Sequence, residues 1–196
     1  MKFYITRHGQ TEDNVKGILT GQNQGVLTEL GIQQAQKLGL RLKNEVIDFV
    51  YSSDLERAVD TARNICEFFP MSKTIQYNEL LRERNYGGIA EPIKRKPEGM
   101  IFTELPNVES PQQVFDRIKK VADFIINKHD DYENILVVAH GSANRLLVAY
   151  LLGYDTLELA TQVESQKNAA INIIEIDKET RKANAELLNC DRHLNF

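Results

Sequence analysis

An α/β fold, three layers deep around a mainly parallel central sheet, is what this sequence predicts. Three observations lead there. Short apolar runs alternate along the chain with stretches of helical periodicity. The apolar runs are continuous, as in Ile135–Ala139, which is the pattern of strands buried on both faces. The 196 residues also contain no internal repeat, low-complexity tract or dividing linker. We therefore expect one domain, 1–196, with a variable insert over about 84–109.

The elements follow in order. Lys2–Thr6 reads as the first strand, and a loop rich in Gly, Gln and Asn continues through Val26. Thr28 is an N-cap, with Leu30, Ile32, Ala35, Leu38 and Leu42 at helical spacing behind it. Ile47–Tyr51 reads as a buried strand. Asp54 then caps a helix that turns Leu55, Ala58, Ala62, Ile65 and Phe69 inward and stops at Pro70. Thr74–Tyr77 is a short strand. Residues 82–109 are irregular and carry the basic trio Lys94-Arg95-Lys96; the segment is too long for an ordinary connection and reads as a lid or a mobile insert. Ser110-Pro111-Gln112-Gln113 is a capping box with proline at the first helical position. Its helix runs to about Lys128 on Val114, Ile118, Val121, Phe124 and Ile125. Ile135–Ala139 is the clearest strand, followed by a helix over Ser142–Leu152. Strands over about Ala170–Ile176 and Ala183–Leu188, joined by the polar turn Asp177–Thr180, form a hairpin.

Composition narrows the function. A net charge of −4 argues against nucleic-acid or membrane-surface binding, which favour basic patches, but leaves room for a local cationic pocket. No apolar stretch approaches the roughly 18 residues of a membrane span. The opening residues lack the apolar length and cleavage site of a signal peptide, so a cytoplasmic protein is expected. Cys66 and Cys190 make neither a disulfide framework nor a zinc spacing; they read as a buried thiol and a bystander. His129 and His193 read as surface residues in polar surroundings.

Chemistry gathers at the ends of strands. In open α/β sheets, ligands bind beyond the C-terminal strand ends. Arg7-His8-Gly9 follows the first strand, Arg57 lies one turn into the helix after the second, and His140-Gly141 follows Ile135–Ala139. The fold therefore brings distant residues to one cleft. A phosphoryl group in transfer spreads charge over its equatorial oxygens. Two guanidinium groups, Arg7 and Arg57, suit that charge. His140 adds a donor, and the helix after Asp54 adds free N–H groups. His8 can attack phosphorus through one ring nitrogen if a backbone carbonyl holds the proton of the other. Glu83 is the candidate to protonate the leaving alkoxide and then to deprotonate water. Taken singly, Arg57 reads as a solvated helix arginine, Glu83 as a loop carboxylate and His140 as either ligand or core histidine. Their coincidence in order and context is the signal.

The motifs resemble those of the histidine phosphatase superfamily, the phosphoglycerate mutase-like group. Arg7-His8-Gly9-Gln10-Thr11 with Asn14 is similar to its nucleophile motif. Gly21 and Leu27–Gly31 match the following loop, and Ser52–Ala58 with Thr61-Ala62 the second-arginine motif. Leu81-Arg82-Glu83 matches the acid motif, Val138–Gly141 the second-histidine motif, and Asn168–Ile171 the final strand. The resemblance implies that His8 is phosphorylated, that Glu83 is the proton donor, and that Arg7, Arg57 and His140 hold the phosphate. It implies no metal or other cofactor. Asn14, Gln10, Thr20, Gly21, Tyr86, Gly141 and Ser142 are expected as substrate contacts, with a small phosphorylated metabolite as partner.

Two activities share such a pocket. A phosphatase lets water take the phosphoryl group, whereas a mutase must shield it while the product reorients. The short insert and tail favour phosphatase. Glu83–Gly87 is close to the mutases' acid motif, and Lys94-Arg95-Lys96 would suit a second anionic group, so mutase stays as the alternative. A binding module with a dead site is a third reading, disfavoured because His8, Arg57, Glu83 and His140 are all present.

Overall fold

The computed structural model describes residues 1–69, 73–87 and 107–195. Strands β1 (Lys2–Arg7), β2 (Phe49–Ser52), β3 (Ile75–Tyr77), β4 (Asn134–Ala139), β5 (Ile171–Ile176) and β6 (Ala183–Cys190) form one sheet in the order β3-β2-β4-β1-β5-β6. β1 to β4 run parallel, and the β5–β6 hairpin adds an antiparallel edge beside β1.

Alternation along the strands builds two cores. Ile135, Val137 and Ala139 of β4 face one way, with Phe3, Ile5 and Tyr51, onto α4 (Pro111–Lys128) and α5 (Gly141–Leu151). Leu136 and Val138 face the other way, with Tyr4 and Val50, onto α2 (Glu29–Leu42) and α3 (Glu56–Cys66). Thr28 caps α2 by accepting from the Gly31 amide, and Ser110 with Gln113 forms the capping box of α4. This is the three-layer mainly parallel fold the sequence predicts.

Several local expectations are corrected. The α3 N-cap is Leu55, which makes no side-chain cap; Asp54 instead forms a two-bonded ion pair with Arg82, and Ser53 Oγ accepts from the Leu55 amide. β2 begins two residues later than its apolar run because Ile47 packs before the ladder starts. Phe124 is 49% exposed at the rim of α4, where the Lys128 ammonium lies over its ring. Ile32 is also exposed, on the outer face of α2. Short helices α1 (Glu12–Lys16) and α6 (Leu157–Ala160), unforeseen, are held by the caps Thr11 and Thr156. His129 is 4% exposed, contrary to its polar sequence surroundings: Nε2 meets the Tyr51 hydroxyl at 2.7 Å and Nδ1 meets Glu133 at 3.1 Å. His193 is half-buried, with Nε2 donating to the Ala169 carbonyl. Cys66 and Cys190 are free, and burial lifts the Cys66 thiol to about 11. Pro70 and Lys94-Arg95-Lys96 lie outside the described residues. No helix among those described is long and apolar enough to cross a membrane.

The sheet positions the site. Two backbone bonds extend the β4 pairing past the strand ends: the His8 amide donates to the Ala139 carbonyl and the Ser53 amide to Val138, each at 3.0 Å. His8, Ser53 and His140 thus meet at one edge.

Candidate active site

The loop after β1 is shaped by a close backbone approach. A Cβ on Gly9 would sit 2.3 Å from the Gly31 carbonyl oxygen, so the loop lies directly on the start of α2. The Gly9 amide donates to Thr61 Oγ1. Its carbonyl lies 2.7 Å from His8 Nδ1. A carbonyl only accepts, so Nδ1 carries the proton and Nε2 keeps its lone pair. Burial, with Arg7 and Arg57 nearby, pushes the His8 pKa well below the usual 6.5. The ring is therefore neutral at pH 7.

His140 directly follows β4, with its ring centroid 5.3 Å from that of His8. Its Nε2 meets Ser53 Oγ at 2.8 Å, while its buried Nδ1 has no partner among the described residues. Burial, then Arg57, His8 and Arg7, holds its pKa well below 6.5 as well. Arg57 is 2% exposed and donates to the carbonyls of Asn23 and Gly21 at 2.8 and 2.7 Å. Burial lowers its pKa to about 10, against the pull of Glu83, and leaves it charged at neutral pH. Arg7 donates to the Gln166 carbonyl, and its buried Nε has no partner among the described residues. Burial lowers its pKa, with Glu83 opposing. Glu83 accepts from the Arg84 amide through Oε1 and from the Ser142 amide, at the start of α5, through Oε2.

These side chains, the fully buried His140 excepted, line one cleft of about 420 Å³. Arg7, His8, Asn14, Thr20, Gly21, Arg57, Glu83, Tyr86, Gly141 and Ser142 all line it. Asn14 Oδ1 accepts from Thr11 and from Asn168 Nδ2, which leaves its amide nitrogen for the cleft. Gly21 has φ +57°, and a Cβ there would meet the Tyr86 ring at 2.9 Å. Gln10 stands apart: its Oε1 accepts from the Thr28 hydroxyl beside α2, and it does not line the cleft.

Sequence reasoning missed several contributors. Ser53 orients His140, Thr61 anchors Gly9, and Asn168 Nδ2 bridges the carbonyls of His8 and Gly9. Ser53 and Thr61 lay inside motifs already quoted, but a hydroxyl carries no sign of which group it will orient. Arg84 and Arg145 also line the cleft, giving four guanidinium groups against one carboxylate among the described residues. No group of three or more His, Cys, Asp or Glu among those residues could hold a metal ion.

Known proteins resemble this chain along most of its length. The chain is 31% identical to a metal-independent phosphoserine phosphatase of Arabidopsis thaliana, over 88% of this chain and 75% of that protein. It is 35% identical to a 2,3-bisphosphoglycerate-dependent phosphoglycerate mutase of Methylobacterium sp. strain 4-46, over 81% and 86%. The crystal structure of the alpha-ribazole phosphatase from Shigella flexneri superposes with a TM-score of 0.81 at 27% identity, over 97% of both chains. The sequence profile of the histidine phosphatase superfamily (branch 1) matches residues 3–189, and the chain belongs to that superfamily.

Proposed function

We propose that this enzyme is a metal-independent phosphomonoester hydrolase that works through a phosphohistidine on a small anionic phosphorylated metabolite. One observation carries the reading: His8 is neutral, buried, and locked by Gly9 in the tautomer that turns Nε2 into a cleft lined by Arg7 and Arg57. A phosphoryl group there accepts hydrogen bonds from Arg7, Arg57 and the Asn14 amide. It also meets His140 Nδ1, a donor when the Ser53 hydroxyl donates to Nε2. The Nε2 lone pair attacks phosphorus, the bond to the leaving oxygen breaks, and Glu83 gives that oxygen its proton. The Gly9 carbonyl meets the charge that the ring gains. Water then attacks the phosphohistidine, Glu83 takes a proton from it, and inorganic phosphate leaves. The rest of the substrate lies against Ile18, Leu19, Tyr86 and Leu157.

The test is chemical. Brief exposure to a labelled aryl phosphate in the presence of a chelator is expected to leave an acid-labile, alkali-stable label that water discharges. The label is expected to vanish in His8→Ala; a label that survives in that variant removes His8 as nucleophile.

Mutase-type transfer is the second reading, supported by relatives named phosphoglycerate mutase at 32–35% identity. Incubation with 3-phosphoglycerate, with and without a bisphosphorylated primer, separates the two. Release of phosphate supports the hydrolase, and primer-dependent isomerisation supports the mutase.

A further inference from the structure

Arg117 sits on α4, outside the cleft lining, and nothing in its sequence surroundings marks it. Its side chain is 13% exposed and that of Glu109 is 16% exposed. A guanidinium has five N–H donors in a rigid plane, and here all five are used. Nε and Nη2 grip the two carboxylate oxygens of Glu109 at 2.5 and 2.9 Å. Nη1 donates to the carbonyls of Leu80 and Arg82, each at 2.7 Å, and Nη2 also donates to that of Glu83 at 3.1 Å. Glu109 completes the grip on the other side of Glu83. Its Oε2 accepts from the Asn85 amide, its carbonyl accepts from Arg84 Nε, and its amide donates to the Asn85 carbonyl. The backbone is therefore fixed immediately before and after one residue, whose own carboxylate spans the Arg84 and Ser142 amides.

We propose that Arg117 and Glu109 are positioning residues for the proton donor: together they set where the Glu83 carboxylate stands over the leaving oxygen. The proposal rests on the reading of Glu83 as the general acid. Neither residue lines the cleft. The demand is geometric, because proton transfer fails steeply when the acid is displaced, and a shift of about 1 Å costs up to about 10²-fold. Charge alone does not meet it: a lysine ammonium has three donors on a flexible stem and cannot hold three carbonyls and a carboxylate in one plane.

The experiment compares an alkyl phosphate, whose leaving oxygen needs a proton, with an aryl phosphate, whose leaving oxygen scarcely does. Wild type, Glu83→Gln, Arg117→Lys, Glu109→Gln and the double variant Glu83→Gln/Arg117→Lys are measured, with thermal melts alongside. Glu83→Gln is expected to lose far more kcat on the alkyl ester. Arg117→Lys and Glu109→Gln are expected to show the same selectivity, about 10–10²-fold on the alkyl ester and little on the aryl ester, with KM unchanged. The double variant is expected to add no selectivity beyond Glu83→Gln. Should Arg117→Lys fail to fold, Glu109→Gln alone carries the readout. Selective loss in Glu83→Gln but equal loss on both esters in the clamp variants overturns the clamp and leaves Glu83 standing. Equal loss in Glu83→Gln itself overturns the reading of the acid, and the clamp with it.

Discussion

His8 and His140 at one end of the sheet, and His129 at the other, are all buried, yet only His8 lines the cleft, with the His140 ring centroid 5.3 Å from its own. His129 closes the C-terminus of α4, 18 residues and about 27 Å of helix from the residues that open it beside the cleft. Both of its nitrogens are occupied, by the Tyr51 hydroxyl and the Glu133 carboxylate. His140 leaves Nδ1 unpartnered among buried groups, and His8 spends Nδ1 on a carbonyl and holds Nε2 open. An unmade hydrogen bond in a buried place costs stability. On the proposed reading, an incoming anion completes it, and burial does not separate a working histidine from a structural one; the unfilled hydrogen bond does.

Experiments can break or sharpen that contrast. The largest effect is expected at the proposed nucleophile, where His8→Ala removes turnover entirely; residual metal-free hydrolysis above background would end the comparison. His140→Ala is expected to lower kcat by about 10²–10³-fold, the loss that follows removal of one preorganised donor. Steady-state kinetics on an aryl phosphate measures it, and a change confined to KM would make His140 a passive neighbour.

Acid should expose the same pair in the fold's stability. Both rings stay neutral well below 6.5 when folded, while the unfolded chain protonates them near 6.5. Below about 6.5 the unfolded state binds more protons, so stability falls as pH drops through that window and is flat above it. Half-buried His193, also lowered, adds in the same direction. Melting temperature recorded between pH 7.5 and 5 is expected to decline on the acid side, less steeply in His140→Ala. A profile flat down to the carboxylate range would contradict neutral burial. The smallest effect on activity belongs to His129→Phe. It strands the Tyr51 hydroxyl and is expected to cost about 1–3 kcal/mol in denaturant unfolding, with kcat per folded molecule unchanged.

The sequence was most legible where local chemistry and global fold agree. Continuous apolar runs located the strands, and the rule that ligands gather past strand ends located Arg7, His8 and Arg57 on one cleft, with His140 packed beside His8. What failed to show were partnerships across the chain. Asp54 looks like a cap because caps are local, but Arg82, 28 residues away, claims it. His129 looks solvated beside Lys128, Asp130 and Asp131, yet Tyr51 draws it inward from 78 residues away. Gln10 belongs to the nucleophile motif, yet Thr28 turns its amide off the cleft. Arg117 carries no motif at all, since its five acceptors are mostly backbone carbonyls that every residue possesses.

The two amide bonds that tie His8 and Ser53 to β4 have a consequence for how such a protein fails. They are the last rungs of one of the two central strands, which has β1 on one side and β2 on the other. Pulling the anion cradle apart therefore means prying open the middle of the sheet. Heat or denaturant should extinguish chemistry and architecture in the same step, with no intact but inactive form between them.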